Sequence, residues 1–317
     1  MFEHDAFVVS DTPSWIGLTM FRVYSVSGGN QLYGNGYQQL RVRVVVAVTD
    51  KWDKRVPLTQ SELDSVVLLD TSSRLPLPKK DRHGPGVNGA WEFTDYEDNR
   101  FLELPPNKPI EGSVPLGPYV YVKDFYVTTT SSMPIVIRPR ITRADGEMFW
   151  YDNNEELGVL SLYSLPVATY RPEQYSISRT APSFTPTRDI EKIEVFSLEL
   201  ITDQQQIAFV TGFNMGGHPR VGSSDSRYTG YYVVGYGNGR YVQTGAAVSW
   251  ERPDALGRSW SENGRVALVL AYGRHGGSVW VRESITNVPM EALDMYGNHH
   301  QLRIELSEDP LSVRVYR

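Results

Sequence analysis

The chain has 317 residues, of which 40% are hydrophobic and 21% charged, with a net charge of −6 and no cysteine. That length exceeds one small core and predicts two domains, and the composition is that of a folded globular protein. The acidic balance argues against a phosphate-neutralising nucleic-acid surface, and the lack of cysteine excludes disulfides, thiolate catalysis and cysteine-ligated zinc.

The N-terminus, Met1-Phe-Glu-His-Asp5, shows no basic or apolar region of a secretory signal. The expected location is therefore open between cytoplasm, virion and export by another route. The longest apolar run, Val266–Tyr272, is far short of the ~20 residues of a membrane helix, so no transmembrane segment is expected.

Along the chain, alternation of apolar and polar residues dominates. Strands are expected at Leu18–Val26 and Leu40–Val48, the latter placing Leu40, Val42, Val44, Val46 and Val48 on one face and Arg41, Arg43, Val45 and Ala47 on the other. Thr59-Gln-Ser-Glu62 is a capping-box pattern with room for only a turn or so before Val66–Leu69. Pro76–Asn88 reads as a polar, exposed loop. Further strands are expected at Tyr119–Thr128, Pro134–Thr142, Ile193–Ile201, Gln206–Phe213, Tyr228–Tyr236, Tyr241–Trp250, Val266–Tyr272, Ser278–Glu283, Leu302–Leu306 and Leu311–Tyr316. Pro289–Leu293 reads as a single helical turn. Short strands between Gly, Pro, Asn and Asp punctuation predict an all-β protein of two β-sandwich domains, Ig-like or jelly-roll-like, with single-turn helices at most. Residues 170–188, with three prolines and many hydroxyl side chains, read as an extended linker between an N-terminal domain (1–169) and a C-terminal one (189–317).

A short motif recurs. Residues 32–44 and 295–306 both carry Tyr-Gly-Asn, then Gln and a strand beginning Leu-Arg, and Tyr236–Asn238 repeats the tripeptide. The alignment needs a gap, so the recurrence reads as repeated hairpin chemistry rather than duplication. Asn35–Leu58 resembles part of a bacterial immunoglobulin-like domain: a polar turn, a Val-rich alternating strand, then a turn closing on Val56-Pro57. The resemblance implies a sandwich and transfers no functional residue.

The search for chemistry finds little. Asp152, Asn154 and Glu156 occupy positions 1, 3 and 5 of a calcium-loop pattern, but Leu157 stands where glycine is required and position 12 is not acidic. They remain calcium candidates only as a polar turn, and no cofactor motif is present. Glu92, Glu97, Glu147 and Glu156 are available as hydrolytic carboxylates, and none stands out. Six histidines show no metal-binding spacing, and His299 and His300 are expected on opposite faces of a strand. Gly235–Gly239 lacks the Lys-Ser/Thr of a phosphate loop and reads as a hairpin. The most suggestive group is aromatic: Tyr228, Tyr232, Tyr236, Tyr241 and Trp250, a strip suited to a glycan or a protein partner. The reading is a non-enzymatic structural or recognition protein of a larger assembly, such as a phage or tail-like particle, an adhesin or a toxin complex, with protein partners or self-assembly and a glycan as a further ligand. The alternatives are a carbohydrate-active hydrolase on a β scaffold and a β-pore-forming toxin whose hairpin would span Tyr119 to Thr142.

Overall fold

The computed structural model describes residues 15–81, 84–104, 117–150, 158–180, 190–203, 205–214, 221–222, 229–236, 241–244, 266–273, 287–306 and 313–316. The chain divides into two compact units, Met1–Asp98 with Glu103–Pro166, and Asn99–Leu102 with Val167–Arg317. Both are built from strands.

The first unit contains β1 (Gly17–Ser25), β2 (Gln31–Tyr33), β3 (Leu40–Thr49), β4 (Arg55–Val56), α1 (Gln60–Asp64), β5 (Val67–Asp70), β6 (Trp91–Thr94), β7 (Tyr121–Thr129), β8 (Ile135–Thr142), β9 (Met148–Phe149) and β10 (Leu160–Leu165). One sheet runs β1-β3-β7-β6 with β4 on β3; the other runs β2-β10-β8-β5 with β9 on β8. The alternation read from sequence is what closes them into a sandwich. Val42, Val44, Phe125 and Val127 from the first sheet meet Leu32, Leu68, Ile137, Ile141 and Leu162 from the second in one core, all at most 1% exposed. Each such side chain contributes roughly 1.5–3 kcal/mol on burial. Val45 and Ala47 on the other face of β3 are buried as well.

The helix is the single turn expected. The Thr59 hydroxyl caps it by accepting the Glu62 N–H, and the Glu62 carboxylate accepts the Thr59 N–H in return. At its other end the Lys123 ammonium donates to the carbonyls of Leu63, Asp64 and Val66 at 3.3, 3.0 and 2.9 Å. These oxygens lie at the end of the short helix, where the chain supplies no partner from the next turn.

Two sequence readings are corrected here. β7 and β8 follow one another but lie in different sheets, so Tyr119–Thr142 is no hairpin. The stretch Pro76–Asn88 is only partly exposed: Leu77 and Lys80 are buried, and Lys79 bridges to Phe93 of β6.

The second unit contains a 3₁₀ turn (Pro172–Gln174), β11 (Tyr175–Thr180), β12 (Ile190–Thr202), β13 (Gln205–Ile207), β14 (Phe209–Asn214), β15 (Val221–Gly222), β16 (Thr229–Tyr236), β17 (Tyr241–Thr244), β18 (Val266–Gly273), β19 (Asn287–Asp294), β20 (His299–Leu306) and β21 (Val313–Tyr316). One sheet runs β11-β12-β18-β16-β15, with β13 on β12 and β17 on β16; the other runs β14-β19-β20-β21. Residues 170–180, expected within an extended linker, carry the 3₁₀ turn and a strand paired residue for residue with β12. Pro289–Leu293 is strand, not helical turn; the β14 ladder stops at Met290, so Pro289 stands just past its end. The strand expected at Ser278–Glu283 lies outside the described residues.

The two described copies of Tyr-Gly-Asn play different parts. In the first, Tyr33 ends β2, Gly36 takes the positive φ of 72°, and the Asn35 side chain accepts the N–H groups of Tyr37 and Gln38. In the second, Tyr296–Asn298 turns β19 into β20, Gly297 takes φ 79°, and Asp294 is the acceptor. The shared letters meet separate local demands. The third copy reaches past the described residues, though β16 and β17 do pair as a hairpin with Tyr236 opposite Tyr241.

Candidate functional site

The aromatic strip was expected on β16 and β17, and strand register places part of it. Tyr232 pairs with Val269 of β18, which pairs with Val195 of β12. Tyr236 lies four residues on, with Tyr241 directly opposite. Tyr231 pairs with Leu268. On β12 itself, Leu198 and Leu200 are fully buried and Ile201 is 39% exposed. Tyr228 and Trp250 lie outside the described residues, as do the calcium candidates Asp152, Asn154 and Glu156.

Among the described residues of the second unit, the most densely bonded polar group was not anticipated. Asp294, at the end of β19, is wholly buried. Its Oδ1 accepts the N–H groups of Tyr296 and Asn298 at 2.8 and 2.9 Å. Its Oδ2 accepts the Tyr170 hydroxyl at 3.0 Å and the Asn298 side-chain amide at 3.1 Å, and lies 3.2 Å from Nε2 of His300. The other ring nitrogen of His300 lies 2.8 Å from the Tyr175 hydroxyl. A neutral ring protonated on Nε2 satisfies both contacts. Tyr170 stacks on the imidazole at 5.1 Å, and Phe209 meets it edge-on at 5.2 Å. Burial and the neighbouring Asp294 push the Tyr296 phenol up.

An aspartate–histidine pair is a component of many catalytic centres. Here the His300 and Asp294 side chains are 1% and 0% exposed, so the pair is closed to solvent. The arrangement locks the β19–β20 turn and joins the two sheets through Tyr175 on β11. His299, the next residue, points outward to Glu291 at 3.1 Å, as alternation requires.

In the first unit, the buried Lys80 ammonium donates to the Gly36 carbonyl at 2.7 Å and to that of Gly84. Beside it, Tyr37, Gln39, Thr94, Tyr96 and Asp98 enclose a cavity of about 10 Å³, space for about one water. Of the hydrolytic candidates, Glu92 is buried in β6 and accepts the Val87 N–H at 3.0 Å, whereas Glu147 pairs with Arg143 at the turn before β9, in the other sheet. These two acids do not converge. Among the described residues no three His, Asp or Glu side chains gather as metal ligands, and no helix is long and apolar enough to cross a membrane.

No family model and no curated protein matches the chain. Among solved structures it is similar to the adhesin InvE of Yersinia pseudotuberculosis, with 11% identity and a TM-score of 0.19, over 89% of this chain. The match spans 59% of that adhesin's length, and a superposition so loose carries no functional argument.

Proposed function

We propose that this chain is a non-enzymatic structural or recognition component of a larger assembly, such as a phage or tail-like particle, an adhesin or a toxin complex. It engages a protein partner or a glycan through its β surfaces and loops. The observation that supports this reading is the strand pairing of β16 with β17, in which Tyr236 stands opposite Tyr241 and Tyr232 lies four residues before it on β16. Tyrosine suits such a surface, because it presents a flat apolar ring with a polar tip at low conformational cost. A sheet face of this kind recognises without needing a deep cleft.

The test compares the intact chain with a Tyr232→Ser/Tyr236→Ser/Tyr241→Ser variant for mass in solution and for retention on a glycan array. Loss of self-association or of glycan retention in the variant supports the reading. A native chain that is strictly monomeric and binds neither glycan nor protein sinks it.

A further inference from the structure

One end of the first unit carries a second apolar feature, of a different kind from the tyrosine face. The turn between β3 and β4 presents Trp52 at 68% exposure, the loop before β7 presents Tyr119 at 49%, and Ile16, just before β1, is 53% exposed. The sheet brings the three together. The Ile16 N–H donates to the Thr49 carbonyl at 2.8 Å, Thr49 pairs with Arg55 across the turn, and a Cβ on Gly117 would stand 3.4 Å from the Arg55 guanidinium.

Both turns hold a non-glycine residue in the left-handed backbone region. Asp53 has φ 61° and Tyr119 has φ 56°. For a bulky side chain such as tyrosine this is an uncommon and unfavourable conformation, kept only where the surroundings enforce it. The β3–β4 turn is held by Asp50, whose carboxylate accepts the N–H groups of Trp52 and Lys54 at 2.8 and 3.1 Å. The Asp50 carboxylate is thus engaged by its own turn. The side chains around Trp52 are Lys51, Lys54 and Arg55, all exposed, against the exposed Asp53. The Lys51 ammonium lies over the Trp52 ring at 4.3 Å.

An apolar apex of Trp, Tyr and Ile with a cationic collar matches the headgroup layer of an anionic bilayer. There aromatic rings lie at the boundary of apolar and wet regions, and lysines and arginines face phosphate and carboxylate groups. We infer that this end of the first unit is a membrane-contact edge, with Trp52, Tyr119 and Ile16 entering the headgroup layer of an anionic membrane and Lys51, Lys54 and Arg55 facing its charges. It is independent of the tyrosine face and of the assembly reading.

Sedimentation of the intact chain with phosphatidylcholine vesicles, with and without phosphatidylserine, tests it. The native chain pellets with the phosphatidylserine vesicles and is released by raised salt. Trp52→Ser lowers that partition by roughly tenfold while leaving thermal unfolding unchanged, since the side chain is exposed. Tyr119→Gly also weakens the partition but stabilises the fold, because glycine accepts the positive φ. Equal pelleting of the native and Trp52→Ser chains overturns the inference, as does a native chain that ignores both vesicles. Retention on an immobilised acidic protein without vesicle binding assigns the edge to a protein partner and overturns it equally.

Discussion

The indole N–H of Trp15 donates to Oε1 of Glu62 at 2.8 Å, tying the segment leading into β1 to α1 in the interior of the first unit. The same carboxylate accepts the Ala144 N–H at 3.1 Å, and the N–H and hydroxyl of Thr59 at 2.9 Å each. Burial alone would push this carboxyl up, but the hydrogen bonds from Thr59, Trp15 and Ala144 outweigh it and hold it below its ordinary value. A carboxylate depressed in this way stabilises the fold above the ordinary Glu range, and that stability is lost as pH falls through the lowered value. Glu62→Gln is therefore expected to cost about 2 kcal/mol at neutral pH. The gap from the native chain should narrow once the pH drops below ~4. Urea titrations at a series of pH values measure this, and a pH-independent gap contradicts the assignment.

A second prediction concerns backbone space. Gly36 has φ 72°, and a Cβ there would stand 1.9 Å from the Pro85 carbonyl oxygen. Gly36→Ala combines left-handed strain with a backbone clash and should cost about 2–4 kcal/mol. Gly89 has a similar φ of 77° with nothing within 4 Å of its Cβ position. Gly89→Ala should cost about 1 kcal/mol. Thermal unfolding of both variants separates strain from collision.

Asp124 takes Nε and Nη2 of both Arg41 and Arg43 at 2.5–3.0 Å. Burial raises the Asp124 carboxyl, but the hydrogen bonds from Arg43 and Arg41 reverse this and bring it below its ordinary value. Asp124→Asn leaves two guanidinium groups side by side on β3. The expected loss is about 1–2 kcal/mol, partly recovered in high salt, which screens the repulsion. A loss indifferent to salt would mean that packing, not charge, holds the pair.

In the second unit, Asp294→Ala removes the acceptor shared by Tyr170, Tyr296 and Asn298 and should cost about 3–5 kcal/mol. His299→Ala, exposed at the start of the neighbouring strand β20, should stay within about 0.5 kcal/mol of the native chain. Chemical denaturation of the two variants makes the comparison, and equal losses would show the network to be dispensable.

The fold class was legible because alternation survives wherever one sheet face is buried: β3, β7, β8, β12 and β18 all contain stretches where Val, Leu, Ile or Phe recur at alternate positions. β11 escaped because Tyr-Ser-Ile-Ser-Arg-Thr is polar enough to read as a connection, and its pairing with β12 supplies what its composition does not. β19 was misread because Pro289 followed by Met, Glu, Ala and Leu favours a helical start, a local preference that the flanking strands β14 and β20 override. The Asp294 network was invisible for a different reason. Tyr170 meets Asp294 from 124 positions away, and no spacing rule spans such a distance. The strand carrying Tyr232 and Tyr236 was read from its alternation, and only the pairing with β17 sets Tyr241 opposite Tyr236.

The parallel pairing of β2 with β10, which sets Gln31 beside Tyr163 and Tyr33 beside Leu165, dictates an order of events during synthesis. β2 finds no partner in its sheet until β10 has left the ribosome, so this one strand must wait for nearly the whole first unit to emerge, while β1 and β3 can pair early. Contacts so distant in sequence form slowly, and a chain cut short before Leu165 would leave that sheet open along one edge. The first unit is a clasp that shuts with its last strand.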